Sequence, residues 1–391
     1  MCIANFISPF KDMFRKKKNI HRNISERRKN RGLIARKKEF VNRNNSTTSL
    51  IKAKVAARIQ VPITVTNLFL STTLNKEKKH MLGEDADPLL MTTENMGFIG
   101  VFDGMGGAGA TEYTLPDGTK HTGAYIASRL VCDSFNDYIN HNLQHDIDTI
   151  HLKQYIKEQL DKYVIENDIK PTGLRSPIIR ILPTTLSVIA YQKESDNIDL
   201  YSYWCGDSRN YLLTKDGLMQ ISTDDLKSKQ DPLENLRNDD ALSNCICQDK
   251  EFTINKLHVE NQQLPVILLS ATDGCFGYLS SPMHFEQLLL ETLMQSNGME
   301  QWKSKIIETL EPISGDDFSM SIVMLGLTFE DWKSYLQLRL QYIQKTYIQP
   351  LEEIKKAIEG AQNKMVDTRQ LLYNTTTELW NTYKTNYLYQ Q

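Results

Sequence analysis

The residues of this chain best placed to do chemistry are aspartates set beside glycines where apolar runs end. Five motifs carry them: Gly83-Glu84-Asp85, Val101-Phe102-Asp103-Gly104-Met105-Gly106-Gly107, Cys205-Gly206-Asp207-Ser208-Arg209, Ala271-Thr272-Asp273-Gly274 and Ser314-Gly315-Asp316-Asp317-Phe318-Ser319. A short, stiff carboxylate delivered by a strand into a glycine turn, where backbone carbonyls can also approach, is a simple way to hold a hard divalent cation. Taken singly, Asp-Gly after a strand is an ordinary turn. Two strands ending in Asp-Gly, at Asp103 and Asp273, together with a third acidic pair, are harder to explain as turns. The motifs contain no His and a single Cys, Cys205, which argues against zinc and for Mg²⁺ or Mn²⁺ with waters. Cys275 follows Asp273-Gly274 but has no basic neighbour in sequence and no phosphate-cradling loop after it, so a thiol nucleophile is not expected.

The elements that must position these carboxylates lie between about Val55 and Leu327. Strands are expected at Gly97–Phe102, Thr185–Tyr191, Leu200–Trp204, Val266–Leu269 and Met320–Leu325, and helices with one apolar face at Gly123–Ile139 and Leu152–Glu166. Asp117-Gly118 marks a turn, and Asp216-Gly217 marks a hairpin turn between Tyr211–Leu213 and Leu218–Ile221. Strands and helices mix without strict βαβ alternation. An α+β layered domain follows.

The order ED, DGMGG, Thr184-Thr185 at a strand start, GDSR, DG and a final acidic pair before a strand resembles the metal-dependent, type 2C serine/threonine protein phosphatases, in the DGMGG form of bacterial members. The resemblance covers roughly residues 55–327. It implies a four-layer α-β-β-α sandwich of two antiparallel sheets with flanking helices, and two Mn²⁺ or Mg²⁺ ions that activate a water to hydrolyse phosphoserine and phosphothreonine esters on proteins. By position, Asp103 would bridge both metals, Asp273 and Asp316 would complete the first, and the Gly104 carbonyl and Glu84 would serve the second. Asp85 would orient metal-bound water, so Asp103, Asp85 and Glu84 form the expected catalytic set. Thr184-Thr185 and Ser208-Arg209 read as supports.

Three positions depart from that pattern. Met105 stands where eukaryotic members often carry a His proton donor, and Met cannot donate, which leaves a metal-bound water as the acid. His80 stands where the family commonly has a phosphate-binding Arg. His80 is the candidate phosphate contact, and its neighbours Lys78 and Lys79 could supply charge, though neither offers Arg's bidentate fork. Asp207 is a candidate ligand of a third metal, but Gly277 occupies the place of its usual partner. The polar stretch Ser222–Glu251 resembles the family's variable flap, and the insertion Thr111–Thr122 is a second candidate rim.

Outside this body the composition changes. Residues 1–45 hold 14 Lys/Arg against 3 Asp/Glu, so the overall charge of -2 leaves 32 - 45 = -13 for the remainder. Residues 1–54 are expected to form a disordered basic arm, either a tail that only aids solubility or binds anything acidic, or, through Phe6, Phe10, Met13 and Phe14 at a helical spacing that Pro9 interrupts, an anchor on an anionic membrane or acidic partner. The basic stretch 15–43 lacks aromatic interleaving or any recognition fold, which speaks against specific nucleic-acid binding. Six irregular cysteines, including Cys245 and Cys247, fit a reduced cytoplasmic compartment, with peripheral membrane association through the arm. Beyond the phosphatase-like domain (55–328), a helical extension (329–391) carries Leu351, Ile358, Met365, Leu372 and Leu379 at heptad spacing. That seam is expected to pack on 331–349 of its own chain, or else on a partner helix or a second copy. The alternative to an enzyme is a weakly active or inactive scaffold that binds phosphoproteins.

Overall fold

Ten strands pair by hydrophobic pattern into two antiparallel sheets. The first sheet runs β1 (Phe69–Lys76), β12 (Phe318–Leu325), β11 (Val266–Ala271), β8 (Arg209–Thr214), β9 (Gly217–Gln220). The second runs β10 (Asn255–Gln263), β7 (Asn197–Cys205), β6 (Leu186–Glu194), β3 (Met96–Val101), β2 (Leu89–Thr92). A small separate hairpin joins β4 (Glu112–Thr114) to β5 (Lys120–Thr122). This computed structural model describes residues 69–387 except 81, 116–117, 143, 170–178, 229–230 and 238–239. The basic arm and its Phe6–Phe14 stretch therefore lie outside the described residues.

Strands β11 and β12 are buried along their whole length, which explains why their sequences read as continuous apolar runs rather than alternating ones. The edge strand β10 is half-exposed and carries Lys256, His258 and Glu260, which discourages pairing with other chains. Between the sheets lie Ile99, Ile189, Leu200, Leu268 and Val323. Phe98, Val188 and Tyr203 face α1 (Gly123–His141) and α2 (Thr149–Glu166), which bring Val131, Phe135, Ile156 and Leu160. On the opposite side Leu269, Met320 and Ile322 pack on α4 (Pro282–Met294), α5 (Met299–Leu310) and α6 (Phe329–Ile343), α3 being the short turn Pro232–Arg237. The expected α+β class with two antiparallel sheets is what the chain adopts.

Helix starts are set by side-chain oxygens that satisfy first-turn N–H groups. Thr122 Oγ1 accepts from Tyr125 N at 3.1 Å, Asp148 Oδ1 from Ile150 N at 2.8 Å, and Thr328 Oγ1 from Asp331 N at 3.1 Å. The two expected helices form close to their expected limits. Helices α4 and α5 and strands β1 and β10 went unread in the sequence, since short amphipathic segments in an alternating fold have weak periodicity.

The C-terminal extension divides in two. Trp332, Leu336 and Ile343 of α6 are fully buried against α4, and Arg339 donates to Glu286 through Nε at 2.6 Å and Nη2 at 3.0 Å. A π-helical turn at Gln344–Ile348 then leads into α7 (Gln349–Tyr387), where every residue from 353 to 381 is exposed. The expected packing of the heptad seam on 331–349 does not occur, because α6 commits Trp332, Leu336 and Ile343 to the body and the seam residues of α7 stay exposed. Trp332→Ala should cost about 3–5 kcal/mol, and truncation after residue 328 should abolish folding. Truncation after residue 350 should leave the denaturation midpoint of the body nearly unchanged in guanidinium melts.

Candidate metal centre

Antiparallel register gathers the five motifs at one end of the sheets. Ala271 pairs with both Met320 and Arg209, so the segments just past these residues, holding Asp273, Asp316 and Asp207, lie side by side. Lys76 pairs with Phe318, which starts the loop to Glu84-Asp85 at that same end. Strand β3 delivers Asp103 from the other sheet, and the Ala86 N–H donates to the Phe102 carbonyl at 3.0 Å, which ties the ED loop to it.

Asp103 is held through its backbone, and its carboxyl meets that of Asp273. Its carbonyl accepts from Thr184 Oγ1 at 2.6 Å and Thr185 N at 2.8 Å, and its N–H donates to Thr185 Oγ1 at 3.2 Å. Thr185 Oγ1 in turn contacts Ser208 Oγ at 2.8 Å, so the threonines and Ser208 act as the supports their position suggested. Close approach explains two glycines: a Cβ on Gly104 would meet the Ala124 and Glu84 carbonyls at 2.5 and 2.6 Å, and one on Gly274 would collide with the Asp317 carbonyl.

Electrostatics defines the site. Burial drives the Asp103 carboxyl far above the usual range, and Asp85, Asp273, Asp207 and Asp316 push it further. Burial likewise raises Asp85 to about 8, reinforced by Asp317 and Asp273 against the opposing hydrogen bonds of Ser319 and Thr272. Asp207 also rises to about 8 through burial and its neighbours Asp273 and Asp224, and Asp273 is raised by burial and by Asp316. Glu84 is raised by burial, although Thr122 Oγ1 donates to its Oε1 at 2.6 Å. Thr272 Oγ1 donates to Asp85 Oδ2 at 3.0 Å, fixing that carboxylate behind the cluster. Among the described residues no three His, Cys, Asp or Glu side chains converge as a ready-made cation cage. A cation here would keep water in its shell, as Mg²⁺ does.

The two expected phosphate contacts do not join this cluster. His80 lies on an outer turn, its side chain 93 % exposed and 4.0 Å from Glu77, and Lys79 beside it is also exposed. Leu82, whose N–H closes that turn on the Lys79 carbonyl, is itself 67 % exposed and does not anchor the turn over the site. Of the neighbouring charges, Lys78 is engaged at the acidic motifs, its Nζ donating to the Ser314 carbonyl at 2.5 Å, and Arg129 Nη2, unread in the sequence, donates to the Gly83 carbonyl of the ED loop at 3.3 Å. Arg129 also stacks on Tyr125, 3.5 Å from its ring centroid, with His121 on Tyr125 at 3.9 Å.

Sequence reasoning missed Asp317, Thr122, Thr272 and Asp224. The Asp317 carboxylate accepts from Lys78 N at 2.6 Å and Glu84 N at 2.7 Å, clamping the ED loop. The acidic pair at 316–317 was visible, but nothing in it separates the clamping Asp317 from its neighbour Asp316. Arg209 donates to Asp224 through Nε at 2.9 Å and Nη2 at 2.6 Å, both side chains 3 % exposed, and anchors the start of the 222–251 stretch. Cys275 is buried with its thiol pushed up and donates to the Ser319 carbonyl at 3.3 Å, which suits a structural residue. Cys245 and Cys247 are likewise buried, flanking Ile246, which pairs with Thr184.

Three outcomes follow. Carboxyls raised in the fold bind more protons than in the unfolded chain, so stability of chelated protein should fall between about pH 4 and about pH 8. Thermal melts with EDTA should show that decline, and Mn²⁺ should reverse it. Asp317→Ala frees two backbone donors and should cost about 1–3 kcal/mol, with Mn²⁺ affinity reduced about 10–100-fold in calorimetric titration. Arg209→Ala strands a buried Asp224 and should cost about 3–5 kcal/mol in chemical melts.

No protein-family model matches the chain, and no curated protein matches it in sequence. Solved structures with a similar course include a Mycobacterium tuberculosis serine/threonine phosphatase, at 17 % identity and TM-score 0.45 over 66 % of this chain and 99 % of that one. The catalytic domain of a serine/threonine protein phosphatase in complex with two manganese ions aligns at 16 % identity and TM-score 0.45, over 66 % and 99 % of the two chains. A Staphylococcus aureus serine/threonine phosphatase aligns at 16 % identity and TM-score 0.47, over 67 % and 96 %.

Proposed function

We propose that this chain is a metal-dependent phosphatase acting on phosphoserine and phosphothreonine in proteins. The observation that carries the reading is the set of buried Asp85 with half-buried Asp103, Asp207 and Asp273, joined by Asp316, brought from five segments close enough to raise one another's carboxyls. Charge of one sign in a buried site is tolerable only with protons or bound cations, and near pH 7 cations are the solution a working enzyme can use. Two divalent ions in such a site supply an activated water and stabilise charge on a phosphoryl group. Asp103, Asp273, Asp316, Glu84 and the Gly104 carbonyl are the groups that would hold them. Asp85, fixed by Thr272, would position a water by accepting its hydrogen bond. Asp207 is available for a further cation.

The choice of phosphoserine and phosphothreonine rests on the motif order ED, DGMGG, TT, GDSR, DG and DD. Lys78, bonded to the Ser314 carbonyl, and Arg129, bonded to the Gly83 carbonyl, are tied to the acidic motifs and are better candidates than the exposed His80 to meet the substrate phosphate. The basic arm would add contact with an acidic partner or an anionic membrane surface at the cytoplasmic face. Among the described residues no helix is long and apolar enough to cross a membrane. A second reading, a weakly active phosphoprotein-binding scaffold, is favoured by the exposure of His80.

The full chain should hydrolyse p-nitrophenyl phosphate and a phosphothreonine peptide with Mn²⁺, lose activity with EDTA, and lose it in Asp103→Asn and Asp273→Asn. Each loss should exceed the ~10–100-fold typical of residues outside the ligand set. Tight binding of the phosphopeptide without metal-dependent turnover would decide for the scaffold.

A further inference from the structure

The described length of α7 leaves an apolar seam uncovered. Leu351, Ile354, Ile358, Met365, Leu372 and Leu379 are between 40 % and 67 % exposed on a helix of 39 residues. A row of this kind, repeated every seven residues, is the surface two supercoiled helices bury between them. Residues 351–387 contain five Lys/Arg and five Asp/Glu. A helix of zero formal charge meets no net repulsion from its own copy and offers no bias toward a charged partner. From this we infer that α7 pairs with α7 of a second copy of this chain, in antiparallel orientation.

Orientation follows from side-chain size. The alternate positions of the repeat are Ile354, Ala361, Thr368 and Thr375, small or polar after the first. Parallel pairing stacks each position on itself, so Thr368 would face Thr368 and Thr375 would face Thr375 while Met365 and Leu372 crowd their own copies. It also sets Lys364 against Arg369 of the other chain, two like charges flanking the seam. Antiparallel pairing about the midpoint of 366 and 367 combines a large residue with a small one: Ile358 with Thr375, Ala361 with Leu372, Met365 with Thr368. Only the Ile354–Leu379 layer joins two large residues, and it closes the seam near each end. Flanking contacts become Gln362 with Arg369 and Lys364 with Leu371, free of like-charge pairs. The last buried residue before α7, Ile348, would then lie about 55 Å along the axis from its copy, given 1.5 Å per residue. Two catalytic bodies would sit at opposite ends of one rod.

Full-length chain examined by light scattering after size exclusion should be a dimer at micromolar concentration. Leu372→Glu or Ile358→Glu should make it a monomer, with p-nitrophenyl phosphate turnover unchanged as evidence of an intact fold. The double variant Ile354→Cys/Leu379→Cys should cross-link two chains on mild oxidation, compared with the unsubstituted chain as control. Either single variant should not, since copies of one position lie about 37 Å apart along the axis, far beyond disulfide reach. A monomeric full-length chain, or a dimer that survives Leu372→Glu, overturns pairing through α7. Cross-linking by the single variants overturns the antiparallel order.

Discussion

Mutual repulsion among crowded, poorly hydrated carboxylates is the constraint around which this protein is arranged. Asp85 is buried, Asp103, Asp207 and Asp273 are half-buried, and all are pushed toward their protonated forms, first by desolvation and then by one another. A folded chain that merely wanted stability would fill such a place with apolar residues. Here the surrounding structure is spent on keeping the carboxylates near each other while leaving part of their oxygens unpaired. Threonine hydroxyls and backbone N–H groups satisfy selected atoms and no more.

That selectivity shows in how the supports attach. Thr184 and Thr185 grip Asp103 through its peptide groups, whereas Thr272 grips Asp85 at one carboxylate oxygen. Thr272 also accepts from Ser319 N at 2.9 Å, so one hydroxyl joins the ED loop, the end of β11 and the start of β12. The Arg209–Asp224 pair performs a comparable junction for the rim, stacked 4.2 Å from the Phe276 ring that follows Asp273. Small polar groups at strand ends thus link two sheets whose apolar faces alone would leave their relative register undetermined.

Much of this was legible in the sequence because ligand-type residues sat at transitions between apolar runs and glycine turns, a local pattern. Asp103, Asp273, Asp316, Glu84 and Asp85 could be read in that way, as could the central strands and the first two helices. What escaped was relational. Nothing around Asp317 announces that it reaches back to Glu84 N across 233 residues of chain, and nothing around Arg129 announces the Gly83 carbonyl. His80 illustrates the reverse, a position correct by motif spacing that the outer turn carries away from the cluster. The heptads of α7 were readable as a seam, but α6's commitment to the body depends on the buried faces of Trp332 and Leu336, which spacing alone did not separate from the seam.

Thr122 joins two events that would otherwise be independent. Its one hydroxyl accepts from Tyr125 N to begin α1 and donates to Glu84 Oε1, while its backbone closes the β4–β5 hairpin opposite Glu112. Fraying of the helix start, displacement of the hairpin and release of the Glu84 carboxylate therefore share a single hinge pin. Because such linkage is reciprocal, whatever bears on the hairpin from outside alters the grip at Glu84, and whatever fills the space before Glu84 stiffens the hairpin in return. The insertion that lengthens this rim is thus a lever whose short arm ends inside the carboxylate cluster.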